Sequence, residues 1–156
     1  MTSTTTQTNP SWLQRLQRRY SDAPKIVKVG FPTGTEAVTV SYPNGTRVVD
    51  VAVGNEYGTD NVPARPFVSL SSADITNQCA PILAQSASAL NNNNTQQYDQ
   101  LLDAAGSVSA GIVKQQITDL RSPPNAQSTI ERKGSSNPLI DTGLMRQTVT
   151  YKVTDK

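Results

Sequence analysis

The chain has 156 residues, 35% apolar and 17% charged, which suits one core of ordinary size and leaves little for a second. Soluble domains usually carry about 25% charged residues, so this surface is expected to be covered largely by Ser, Thr, Asn and Gln. The absence of His removes the commonest general base and the usual zinc or iron ligand, and a single Cys79 forms neither an internal disulfide nor a multi-thiolate site.

The net charge of +2 hides a segregation: +4 over residues 1–30, −5 over 31–120 and +3 over 121–156. A chain polarised in this way suits stacking on copies of itself or on partner rings, because complementary faces fix orientation and partner choice; solvated charge scattered by folding is an equally open reading of the same counts.

Residues 1–10 form a polar, Thr-rich run without a basic or apolar signal region and are expected to be a flexible N-terminus. No stretch approaches 18 apolar residues, so neither standard secretion nor a membrane span is expected. The remainder, 11–156, reads as a single domain. Trp12, Leu13, Leu16 and Tyr20 fall at helical spacing with Arg15, Arg18 and Arg19 on other faces, which predicts a short amphipathic helix. Basic residues beside aromatics also fit phosphate contacts, so a nucleic-acid-binding or accessory role for this helix is the alternative reading.

Lys25 to Phe31 predicts a first strand. Ala37–Tyr42 and Arg47–Gly54 are two β-branched runs joined across Asn44-Gly45 and predict a hairpin. Two helices follow, at about Ser72–Leu90 and Thr95–Leu120; the first contains Pro81, which predicts a start or a bend there. The second carries Tyr98, Leu101, Leu102, Ala105, Val108, Ile112, Val113, Ile117 and Leu120 as one stripe, with Thr95 as its N-cap after an Asn-rich loop. Pro123-Pro124 ends it, an extended arm covers about 121–145, and Gln147–Val153 alternates as a closing strand. The expected fold is α+β, a small antiparallel sheet of three to four strands packed against two long helices, with a short N-terminal helix and an extended C-terminal arm.

Leu139-Ile140-Asp141-Thr142-Gly143 matches the aspartic-protease signature of two apolar residues and Asp-Thr-Gly. That fold needs more strands and a second apolar-Gly motif downstream, and only 13 residues follow Gly143, so the triplet is expected to be a turn. Asp141 would cap its own backbone two residues on, and Gly143 would take positive φ. No phosphate-binding loop, dinucleotide fingerprint, calcium loop or zinc spacing is present.

Asn55-Glu56-Tyr57-Gly58-Thr59 followed by Val62-Pro63-Ala64-Arg65-Pro66-Phe67-Val68, and later Thr129 to Val149 with Lys133-Gly134-Ser135 and Pro138-Leu139-Ile140-Asp141-Thr142-Gly143, form two linked signatures. Together they resemble the tail-completion and neck proteins of tailed bacteriophages, over about residues 52–153. Asn137 stands where a Lys is common, Met145 intervenes before Arg146, and Thr148 replaces a usual Ser. The resemblance implies a virion structural protein without catalysis or cofactor, assembled in the host cytoplasm. It would form a ring of identical subunits, commonly six, at the head-tail junction. That ring would complete or terminate the tail, join it to the portal or connector and tail-tube proteins, and leave a channel for DNA without sequence-specific binding or membrane contact. The motif residues Tyr57, Gly58, Pro63, Arg65, Pro66, Phe67, Lys133, Gly134, Pro138, Asp141, Thr142, Gly143 and Arg146 are the expected assembly residues. Within them, the prolines are expected to hold 63–67 extended, Phe67 to anchor it in the core, and Arg65 to pair with a carboxylate of its own or a neighbouring subunit. Pro138 to Gly143 is expected to turn the chain into the last strand.

Overall fold

The computed structural model describes residues 25–155, so both expectations for the N-terminus, a flexible run at 1–10 and a basic amphipathic helix at 11–20, lie outside the described residues. Strand β1 (Lys25–Gly30) pairs antiparallel with β2 (Thr150–Asp155), in a register running from Lys25 opposite Asp155 to Gly30 opposite Thr150. Alternation puts Val27 and Val29 of β1 and Tyr151 and Val153 of β2 against the helices. Between the strands run helix α1 (Val48–Tyr57), the long pair α2 (Phe67–Asn91) and α3 (Thr95–Asp119), and two short helices, α4 (Gln127–Lys133) and α5 (Leu144–Thr148). The chain is thus mixed α+β, with two strands among the described residues rather than three or four.

The missing strands are those of the expected hairpin. The Asn44-Gly45 turn does form, with Gly45 at φ 82° and Tyr42 N–H donating to the Thr46 carbonyl at 2.9 Å. Only one bridge, Ser41 to Arg47, follows it. Residues 36–38 are a 3-10 turn, and the second β-branched run is α1. Val48, Ala52 and Glu56, four residues apart, are all buried, and in α1 they stack on the one face turned to the interior. Arg47 and Asp50 clasp in a two-point ion pair, and Asp50 sits in the first turn where the helix dipole favours an anion. Tertiary burial overrides the weak β preference of valine.

Helix α2 begins five residues before its expected start because the Glu56 carboxylate caps it from outside. Its oxygens accept from Val68 N and Ser69 N, both at 2.9 Å, and from Ser69 Oγ at 2.5 Å. A buried carboxylate, 8% exposed, thereby satisfies donors that a helix start leaves unpaired. Pro81 neither starts nor interrupts α2; the helix runs on through it, with Pro81 on the exposed side. Between Phe67 and Leu90 at its two ends, the buried residues of α2 are small: Ser71, Cys79, Ser86 and Ala89. Cys79 Sγ lies 3.2 Å from Ser109 Oγ of α3, and the buried hydroxyls of Ser71, Ser86 and Ser109 bond back to carbonyls of their own helices. The α2–α3 loop is the Asn run, and the N-cap of α3 is Asn94 rather than Thr95: Asn94 Oδ1 accepts from Gln97 N at 3.0 Å.

The main core gathers Val48, Ala52, Phe67, Ala110, Val113, Ile117, Leu120, Leu139, Met145 and Val149, so the C-terminal arm supplies part of it. The arm is therefore folded, with α4 inside it and α5 beginning at its end, rather than extended. A second cluster of Ala89, Leu90, Tyr98 and Leu102 sits under Val27 and Val153, beside a Lys25–Asp99 ion pair.

Sheet and helices meet where Gly106 of α3 faces Tyr151. A Cβ there would lie 2.1 Å from Cδ2 of the ring. Alanine ordinarily favours a helix over glycine by about 1 kcal/mol, but here overpacking wins. Gly106→Ala is expected to lower stability by about 1–3 kcal/mol in a urea titration.

Candidate functional site: a cleft built from two distant segments

The two segments singled out in the sequence come together. Helix α1 ends at Gly58, whose φ of 78° suits glycine and whose Cβ would stand 3.0 Å from Ala64 N, so this residue permits both the reversal and a close approach. Thr59 and Val62 close a tight turn, Thr59 N donating to the Val62 carbonyl at 2.8 Å. The chain then runs back along α1 through Pro63 to Pro66, and Phe67 enters the core fully buried.

Arg65 is 4% exposed and joins this return to the arm. Its Nε donates to the Pro123 carbonyl at 2.9 Å, and one terminal nitrogen donates to the Pro124 carbonyl and to Asn125 Oδ1, each at 3.2 Å. The other donates to Asn55 Oδ1 at 3.3 Å, and the Arg65 backbone N–H donates to the Asn55 carbonyl at 2.6 Å. Within the chain the expected carboxylate partner is corrected: neutral amide and carbonyl oxygens hold this guanidinium. Its planar fork of donors matches carbonyls left without partners where α3 ends and the double proline begins. Burial lowers its pKa from the ordinary arginine value.

The arm closes the other wall. Gly134 ends α4 in the left-handed region, φ 66°, with its N–H on the Ile130 carbonyl. Lys133 Nζ donates to the carbonyls of Asn137 and Pro138 at 3.2 and 3.4 Å. The turn at Asn137–Gly143 is organised by Asn137, not Asp141: Asn137 Oδ1 accepts from Leu139 N and Ile140 N, and its Nδ2 donates to the Thr118 carbonyl at the end of α3. Thr142 Oγ1 accepts from Leu144 N, and Gly143 takes φ 79° as the N-cap of α5. The turn therefore leads into a helix before the last strand.

Between the walls lies a cleft of about 610 Å³. Pro63, Arg65, Lys133, Pro138, Asp141, Thr142 and Gly143 line it, while Tyr57, Gly58, Pro66, Phe67, Gly134 and Arg146 do not. Tyr57 stands 78% exposed one helical turn from exposed Val53, Arg146 is exposed, and Pro66 is the N-cap residue of α2. The charged residues of the lining are Arg65, Arg132, Lys133 and Asp141, a net +2. Burial lowers the Lys133 pKa; Asp141 opposes that shift, and Arg65 and Arg132 add to it. The charged form of Lys133 is thus disfavoured in the folded chain, a cost present at neutral pH and relieved as pH rises through the lowered folded value towards the unfolded one. Burial, with Asp141 adding, raises the Tyr42 phenol on the same wall. Among the described residues no group of His, Cys, Asp and Glu is placed to hold a metal, and no helix is long and apolar enough to cross a membrane.

Sequence reasoning gave no role to Glu56, Asn55, Asn125 or Asn137, although it quoted Asn55 and Glu56 in the first signature and Asn137 as a departure. The only local signal was the Asn137-Pro138 dipeptide, a turn marker. No family model, curated protein or solved structure matches this chain.

Replacing Arg65 by Ala leaves buried carbonyls without donors and opens the joint between α1 and the arm. Arg65→Ala is expected to lower stability by about 2–4 kcal/mol, seen as an earlier thermal transition of the isolated chain.

Proposed function

We propose that this chain is a structural subunit of a tailed bacteriophage. In this reading it assembles as a ring at the head-tail junction that completes or terminates the tail, meets the portal or connector and the tail tube, and leaves a passage for DNA. The observation that carries the reading is that residues of the two signature segments line one cleft, with Arg65 of the first bonded to the stretch just before the second, 58 residues on. The two segments face each other across that cleft, and a lining of prolines, carbonyls and fixed cations suits a docking surface for protein. The reading assigns the chain no reaction and no cofactor, and places it in the virion after assembly in the host cytoplasm. A closed ring needs a head-to-tail contact between two different faces of the subunit, and segregated charge supplies two such faces.

Light scattering behind size exclusion, with negative-stain images of the same fractions, tests this reading. The expected result is a closed ring, six subunits being the expected number. A chain that stays monomeric at the highest attainable concentration contradicts self-assembly into a ring.

A further inference from the structure

The cleft carries net +2, and nothing within the described chain neutralises it: among the described residues the ion pairs are Lys25–Asp99 and Arg47–Asp50, both elsewhere. Arg132 is exposed and has no hydrogen bond or ion pair among the described residues, while Arg65 and Lys133 spend their donors on carbonyls. Cations gathered beside apolar Val62, Leu139 and Met145 fit an incoming anion that arrives on a protein surface. A duplex backbone fits less well, because phosphate binding draws on several mobile lysines and arginines on one face, and here only Arg132 is unengaged.

The same chain offers the complementary surface. A second hollow, of about 340 Å³, is lined by Lys25, Asp99, Asp103, Val153, Thr154 and Asp155, a net −2. Asp103 is exposed and, like Arg132, has no hydrogen bond or ion pair among the described residues. The two hollows lie towards opposite ends of α3: Asp99 and Asp103 stand in its first turns, and Asn137 of the cleft wall bonds the Thr118 carbonyl in its last. Nineteen residues of helix separate Asp99 from Thr118, about 28 Å. Opposite charges at opposite ends cannot neutralise each other within one copy and meet only between copies.

We propose that the cationic cleft of one copy receives the Asp99–Asp103 end of α3 from the next copy, with Arg132 and Asp103 as the pair that meets across the contact. This deepens the ring reading and rests on it. The contact is heterologous, since the cleft and the α3 end are different surfaces, and it repeats around a closed ring. Raised ionic strength weakens it, because the pair is exposed until the copies dock.

Charge reversal tests the pair. Arg132→Glu and Asp103→Lys change exposed side chains, so each variant should melt like the parent chain. Assembly is then followed by light scattering across a concentration series. Each single reversal is expected to raise the concentration for half-assembly by about tenfold or more, and the double variant to return to within about threefold of the parent. Rings from all variants at equal concentrations overturn this contact and leave the ring reading standing. Singles that lose assembly without recovery in the double variant also overturn the pairing. A parent chain that never assembles overturns both the contact and the ring. If Arg132→Glu leaves the ring intact and abolishes binding to a duplex oligonucleotide, the occupant of the cleft is DNA and the proposal fails.

Discussion

A buried guanidinium held by neutral oxygens is the joint on which the described fold turns. Arg65 touches the end of α1 at Asn55, through both its side chain and its backbone N–H, and the arm through Pro123, Pro124 and Asn125. An arginine taken out of water costs several kcal/mol unless its donors are used, so its neighbours must present oxygens in one plane and at one distance. That demand fixes where the arm leaves α3. From there Asn137 reaches back to Thr118, Leu139 and Met145 drop into the core, and the last strand arrives beside β1. Remove the joint, and the cleft loses the meeting of its two walls.

A second buried charge shapes the other side. Glu56 caps α2, and it reaches Val68 and Ser69 only if residues 48–57 are helical. This explains why a valine-rich run next to an Asn-Gly turn is not a strand. Local preference favoured a hairpin, and the turn itself formed, but burial of Val48 and Ala52 and the cap on α2 are long-range gains that the run's composition does not display. The second long helix was legible because its apolar positions repeat along it, the first because Ala-rich and Gln-rich sequence replaces β-branched runs, and the outer strands because they alternate. The folded state of the arm was not legible. Its helices are short, its Gly and Ser content resembles a linker, and what holds it are side-chain amides paired with residues far away in sequence.

The candidate site was legible as two segments and illegible as one place. Pro63, Arg65, Lys133, Pro138, Asp141, Thr142 and Gly143 were all singled out from sequence, and they line one cleft. Arg65 was assigned the wrong kind of partner, since an arginine in a motif suggests a carboxylate and sequence cannot show that carbonyls after a helix end lack donors. Asn137, noted only as a departure from a common Lys, organises the turn. Charge segregation, visible as segment counts, becomes geometry once α3 separates a cationic cleft from an anionic hollow.

The claim that Arg65 holds the arm to the body is tested most directly by amide hydrogen exchange on Arg65→Lys, which keeps the charge and loses the planar fork. The account predicts that amides of residues 127–140 lose far more protection than those of α2 and α3. Equal loss throughout the chain, or unchanged protection in the arm, would contradict it.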